Sequence, residues 1–145
     1  MFRPKFSWND YFDGYPATTL SGQYNSNQYL SSSRVYISNC LFNQLTSESQ
    51  SGGGALYCKS ATSFLIESSS FFSCKAKSSG GAIYFTSSGA QSVLYGVCGS
   101  DCCTTYTGST RYQFAYIEVN NDASSKNNVN YSSIVRCVKE RSESY

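Results

Sequence analysis

The chain has 145 residues, the length of one domain, and its 11 Lys and Arg barely outnumber its 9 Asp and Glu. A net charge of +2 provides no basic field of the kind that nucleic acid requires, so we predict no nucleic-acid partner. Aromatic residues make up 16% and charged residues only 14%, and the helix formers are sparse beside Val, Ile, Tyr, Phe and Thr. We therefore expect an all-β protein.

The N-terminal segment, residues 1–33, carries aromatic residues without a sustained period, and Gly14 and Pro16 mark turns in it. We predict an irregular or capping segment, either a degenerate first coil of the fold or a cap over its end, with Trp8 packed on the core. The alternative is a recognition arm, because exposed aromatic side chains among polar neighbours are typical of binding surfaces.

Between residues 34 and 90 the chain contains two copies of one sequence pattern. Each copy has an apolar run, an aromatic pair, a Ser-rich turn, a glycine pair and a second apolar run. The glycine pairs lie 27 residues apart and predict two equivalent bends, since glycine accepts a positive φ. These turn glycines are Gly53, Gly54, Gly80 and Gly81.

Within each run, apolar residues alternate with the period of a β-strand, so that one set of side chains faces a core. Ser38, Tyr57, Lys59, Glu67 and Tyr84 take the opposite, outward parity. The predicted core stack, in which the second copy lies on the first, consists of Val35, Ile37, Leu56, Cys58, Phe64, Ile66, Ile83 and Phe85.

A repeat of about 20–50 residues is typical of a solenoid. We predict a right-handed parallel β-helix of about three to four coils over residues 34–138, forming a fragment of a longer solenoid, with its handedness taken from the general crossover rule. Residues 91–117 form an altered third copy, residues 129–138 one more strand, and residues 139–145 a frayed tail. A β-sandwich and a disordered Ser-rich tract are the competing interpretations.

The motif Gly-Gly-Ala-Ile/Leu-Tyr after an aromatic pair resembles the Gly-Gly-Ala-Ile and Phe-x-x-Asn repeats of polymorphic outer membrane proteins. The second motif is approximate here, because Phe42 is followed by Leu45 where the family has Asn. Similar repeats occur in surface-protein families of parasitic protists such as trichomonads. The resemblance covers roughly residues 34–137, implies a parallel β-helix with a role in adhesion or surface display, and brings no catalytic residues.

The seven cysteines are an odd number, so they cannot all be paired within one chain. Cys98, Cys102 and Cys103 have a spacing that zinc could use, but a second ligand pair is missing and we predict no metal or other cofactor. Disulfides between coils and small buried thiols remain the two alternatives, with Cys58 expected to be buried and an approach of Cys40 to Cys74 possible.

The chain contains no histidine, which removes Ser-His-Asp and Cys-His activation of a nucleophile. Its acids do not repeat at the spacing of the copies, and Glu67 beside Lys59 is the nearest approach to a charged pair, expected as a surface ion pair. We predict a non-enzymatic domain for surface display, adhesion or protein or glycan interaction. The alternatives are a polysaccharide lyase or hydrolase built on a β-helix, and a truncated inert member of the family.

No run of about 18 apolar residues is present, so no membrane span is predicted, and the first residues lack the apolar region of a secretory signal. The expected partner is a host or cell-surface protein or glycan. A location at the cell surface or outside the cell follows if the chain is part of a longer secreted protein.

Overall fold

The computed structural model describes residues 7–48, 52–105, 113–120 and 122–137. Within these ranges the chain has a single 3-10 turn, Trp8–Asp10, and fifteen β-strands. The first eight strands are β1 (Thr18–Tyr24), β2 (Gln28–Leu30), β3 (Arg34–Asn43), β4 (Thr46–Ser47), β5 (Leu56–Cys58), β6 (Ser63–Glu67), β7 (Ser70–Phe72) and β8 (Lys75–Ala76). The remaining strands are β9 (Ile83–Thr86), β10 (Gln91–Tyr95), β11 (Cys98–Ser100), β12 (Cys103–Thr104), β13 (Ala115–Glu118), β14 (Asn128–Asn130) and β15 (Ser133–Val135). The predicted all-β class is confirmed.

The strands form three sheets, and each described pairing between strands is parallel. One sheet has the order β2-β5-β9-β13 and another the order β4-β8-β12. In the largest sheet, β3 pairs with β6 through its first half and with β7 through its second half. Two rows of strands therefore extend from the same edge of β3, namely β6-β10-β14 and β7-β11-β15. Strand β1 pairs with the other edge of β3. No helix in the described ranges has the length and apolar character to cross a membrane.

The register of these pairings places the two copies of the sequence pattern side by side. Val35 lies opposite Phe64, and Leu56 lies opposite Ile83. The altered third copy continues the row, because Ala115 lies opposite Ile83. Neighbouring parallel strands are about 4.8 Å apart, so equivalent side chains lie directly against each other.

The main core collects the inward side chains of the two larger sheets, and stacked aromatic rings run through it. The rings of Phe64 and Phe85 stack with centroids 4.5 Å apart, and those of Phe42 and Phe71 with centroids 4.8 Å apart. All four side chains are fully buried. Such ring pairs contribute about 0.5–1.5 kcal/mol each beyond the burial of apolar area.

A second, smaller core lies on the opposite face of the largest sheet. There the 3-10 turn places Trp8 and Phe12 on Leu65 and Val93, and all four are buried. Leu65 alternates along β6 with the main-core residues Phe64 and Ile66, and therefore points away from the main core. Trp8 packs on apolar side chains as expected, but on this outer face of the sheet.

The predicted boundaries differ from the structure at both ends. Residues 1–33 were expected to be a degenerate first coil or a cap. Within them, β1 and β2 join β3 and β5 as regular parallel partners, so this segment extends the sheets. The single strand expected at 129–138 is two strands, β14 and β15, with a left-handed residue between them at Tyr131 (φ +51°). The predicted tail, 139–145, lies outside the described residues.

Candidate functional site

The outer face of the four-stranded sheet carries a tyrosine on each strand at the same register position. We call these four residues the tyrosine ladder: Tyr29, Tyr57, Tyr84 and Tyr116. Their side chains point outward because the residues on either side face the core. In β5, for example, Leu56 and Cys58 are fully buried while Tyr57 between them is only partly buried.

Parallel in-register pairing forces the rings of the tyrosine ladder into a stack. The centroids of Tyr57 and Tyr84 are 5.2 Å apart, and those of Tyr84 and Tyr116 are 5.0 Å apart, with interplanar angles of 14° in both pairs. Tyr29 is tilted by 54° against Tyr57 at 5.6 Å and is 60% exposed. The ladder thus presents a row of ring edges and phenolic groups, with an open ring at the Tyr29 end.

Charged side chains flank the ladder. The ammonium group of Lys59 lies 5.5 Å from the ring centroid of Tyr57 and 6.0 Å from that of Tyr84. A hydrogen bond to Tyr57 raises the pKa of Lys59 above its ordinary value. At the other end, Glu118 accepts hydrogen bonds from the Tyr116 hydroxyl (2.8 Å) and from Thr86 Oγ1 (3.2 Å).

The tyrosine ladder is a rigid surface. Tyrosine offers a large rigid contact area with few rotatable bonds and a hydroxyl that can donate or accept. A ring on each side, tilted or stacked, restricts Tyr57 and Tyr84 further. The row therefore holds its ring edges, hydroxyl groups and flanking charges in one arrangement.

The predicted turn glycines divide into two roles. Gly53 and Gly80 have positive φ values, +72° and +61°, as a bend at each position requires. Gly81 needs to be glycine for a different reason, because a Cβ there would lie 2.3 Å from the carbonyl oxygen of Gln113. Gly54 is equally constrained, since its Cβ would lie 2.0 Å from the carbonyl oxygen of Gly81.

The eight residues of the predicted core stack are all fully buried. Their pairings follow the predicted copies: Val35 with Phe64, Ile37 with Ile66, Leu56 with Ile83, and Cys58 with Phe85.

Cys58 is buried, as predicted, and most of the other cysteines are buried free thiols. Cys40 lies next to Ser69, whose hydroxyl oxygen accepts a hydrogen bond from the Cys40 backbone N–H at 3.1 Å. The register places Cys74 beside Cys102, and not beside Cys40 as the sequence had left possible. Of the residues considered as zinc ligands, Cys98 is exposed whereas Cys102 is buried. The described part of the chain holds no group of three or more His, Cys, Asp or Glu side chains that could bind a metal ion.

The prediction of a surface ion pair between Glu67 and Lys59 is wrong. Glu67 is 4% exposed and accepts hydrogen bonds from the Tyr36 hydroxyl (2.6 Å) and from Ser38 Oγ (3.1 Å). Lys59 lies on the tyrosine ladder. Glu67 has the predicted outward parity, but the segment around Trp8 covers this face of the largest sheet.

Two members of the ladder were not assigned from the sequence. Tyr29 fell in the segment expected to be irregular, although Gln28-Tyr29-Leu30 has the same alternation as Leu56-Tyr57-Cys58. Tyr116 lies in the altered third copy, residues 91–117, and its stacking on Tyr84 depends on a register that only the folded chain establishes. No protein-family model, no curated protein and no solved structure matches the chain.

Proposed function

We propose that this chain is a non-enzymatic binding module that acts in surface display or adhesion and holds a protein or glycan partner on the tyrosine ladder. One observation carries this proposal: four tyrosines in register on the solvent side of one sheet, three of them stacked within 14° of parallel. Tyrosine is enriched among the few interface residues that provide most of the binding free energy.

We also propose that the chain winds as a right-handed parallel β-helix of about three to four coils, as the resemblance to polymorphic outer membrane proteins implies. The parallel sheets support this, because successive strands of each sheet come from successive copies of the pattern. The glycine bends recurring beside β5 and β9 support it as well. Handedness rests on the general rule for parallel crossovers.

The test is a binding screen of the full chain against glycan arrays and intact cell surfaces, followed by the variants Tyr57→Thr and Tyr84→Thr. Threonine keeps the preference for strand while removing the ring. We expect each substitution to weaken binding at least about tenfold, as for a residue at the centre of an interface. The matched control is Tyr15→Thr, which removes a tyrosine that is 79% exposed and lies outside the ladder.

Three results would contradict the proposal. A blank screen with folded protein would favour a truncated inert family member. Equal losses from Tyr15→Thr and Tyr84→Thr would place binding elsewhere. Cleavage of a polysaccharide in the same screen would favour the lyase or hydrolase alternative, whose chemistry needs carboxylates close together. Thermal unfolding of each variant separates lost binding from lost structure.

A further inference from the structure

Two buried cysteines lie side by side just before the strands of the three-stranded sheet. Cys103 pairs with Lys75 in the parallel register of β8 and β12, so Cys102 and Cys74, one residue earlier, are neighbours as well. Both side chains are fully buried. The Cys74 thiol lies within hydrogen-bonding distance of the carbonyl oxygens of Phe42 and Phe72, and the Cys102 thiol of those of Phe71 and Ser100.

A third cysteine extends this row. Ser100 pairs with Val135 in the parallel register of β11 and β15, and Cys137 lies beside Cys102 by the same offset. Cys137 also packs against the main core, to which Cys102 belongs. We call Cys74, Cys102 and Cys137 the cysteine column. Cys102 is its centre, in contact with a thiol on each side.

The spacing of the column suits a disulfide. Adjacent parallel strands lie about 4.8 Å apart, and disulfides join residues whose Cα atoms are roughly 4.4–6.8 Å apart. Only one of the two possible bonds can form at a time, because both would use the sulfur of Cys102.

The pair Cys74–Cys102 and the pair Cys102–Cys137 differ in their exposure to solvent. Cys74 is fully buried in the core, whereas Cys137 is partly exposed and can meet a dissolved oxidant. We propose that Cys102 and Cys137 form a disulfide when the protein meets a small-molecule disulfide such as glutathione disulfide, and that this bond fastens β15 to β11. The adjacent ion pair between Arg136 Nε and Asp101 Oδ1, at 2.8 Å, already holds the same two strand ends together.

The reaction is a double thiol–disulfide exchange. The Cys137 thiolate attacks one sulfur of glutathione disulfide, forms a mixed disulfide and releases one glutathione thiolate. The Cys102 thiolate then attacks the Cys137 sulfur, forms the protein disulfide and releases the second glutathione. The two cysteines are oxidised, one glutathione disulfide is reduced to two thiols, and the two cysteine protons end on those thiols.

The bond would close a loop of about 35 residues, which corresponds to a rise in Tm of about 10 °C for a chain of this size. The experiment uses the full chain with Cys98→Ser, which removes the exposed thiol that could join two molecules. It is run at pH 9, because burial raises the pKa of Cys137 to about 11. The neighbouring Cys74 and burial raise the pKa of Cys102 further still, so both thiolates are scarce at neutral pH and the second exchange is expected to be the slower one.

After treatment with glutathione disulfide we expect a mass loss of two hydrogens, a non-reducing peptide map that joins Cys102 to Cys137, and a rise in Tm that dithiothreitol reverses. Because Cys103 adjoins Cys102, the map is repeated with Cys103→Ser, which should leave the bond unchanged. Cys102→Ser should stop the reaction at glutathione on Cys137. A lasting mixed disulfide on Cys137 while Cys102 is present, a bond from Cys74 to Cys102, or a bond without a rise in Tm would overturn the proposal.

Discussion

Replacing Gly81 by alanine tests whether the glycine pairs hold two backbone segments in direct contact. A Cβ at Gly81 would lie 2.3 Å from the carbonyl oxygen of Gln113 and 2.5 Å from the backbone nitrogen of Cys103. Ordinary contacts of a Cβ are 3.4 Å or more, so backbone on both sides would have to move by about 1 Å. The φ of Gly81 lies outside the left-handed region, and the cost is therefore purely steric.

The expected magnitude follows from two contributions. Overpacking a rigid interior costs about 1–3 kcal/mol, and more where the obstacle is backbone. The hydrogen bond from the Gly81 N–H to the Gln113 carbonyl oxygen, at 2.8 Å, would be displaced as well, at about 1 kcal/mol. We expect Gly81→Ala to lower the free energy of unfolding by about 2–4 kcal/mol, a large part of the roughly 5–15 kcal/mol typical of a domain.

Gly89→Ala is the matched control. Gly89 has a φ of +78°, but no atom lies within 4 Å of the position its Cβ would take. Only backbone strain of about 1 kcal/mol is expected there. Urea unfolding followed by far-ultraviolet circular dichroism measures both variants. If Gly81→Ala is no more destabilising than Gly89→Ala, the backbone approach at the glycine pair is not tight and the steric reasoning is wrong.

Two further predictions concern the cores. Burial, together with the hydrogen bond to Glu67, raises the pKa of Tyr36 to about 12, so its contribution is present below pH 10 and is lost as the pH rises towards 12. Allowing for solvent around this partly buried ring, we expect Tyr36→Phe to reduce the loss of unfolding free energy between pH 9 and pH 11.5 by about 1 kcal/mol. Urea unfolding at both pH values measures this loss, and an equal loss in the variant and the parent chain would contradict the prediction. Phe42→Ala removes a fully buried ring stacked on Phe71 and should lower the free energy of unfolding by about 3–5 kcal/mol. Its control is Phe72→Ala, at a side chain that is 38% exposed, which should lower it by under about 1 kcal/mol. Similar urea midpoints for the two variants would refute the burial argument.

Much of the strand pairing could be predicted because it depends on short-range pattern. Alternation along Leu56-Tyr57-Cys58 assigns each side chain to one face of a strand whatever its neighbours are. The repeat then indicates which strands are equivalent, and Leu56 does lie opposite Ile83 in parallel register. The tyrosine pair at positions 57 and 84 followed from the same reasoning.

The prediction failed where a distant segment changed the surroundings of a residue. Glu67 has the parity of an exposed side chain, yet Trp8, almost sixty residues earlier, helps to cover that face of β6. Tyr29 belongs to a strand whose partner, β5, is separated from it in sequence by β3 and β4. The contact between Cys102 and Cys137 depends on the register of β11 with β15, which no local pattern specifies.

The sequence by itself determined the β-strand class, the side of each strand that turns inward, and the equivalence of the copies, because a period of two and a repeat are properties of the chain alone. Only the tertiary structure decided which outward faces meet water, which tyrosines form one stack and which thiols become neighbours. Those outcomes depend on segments far apart in sequence that the parallel register brings within a few ångströms of each other.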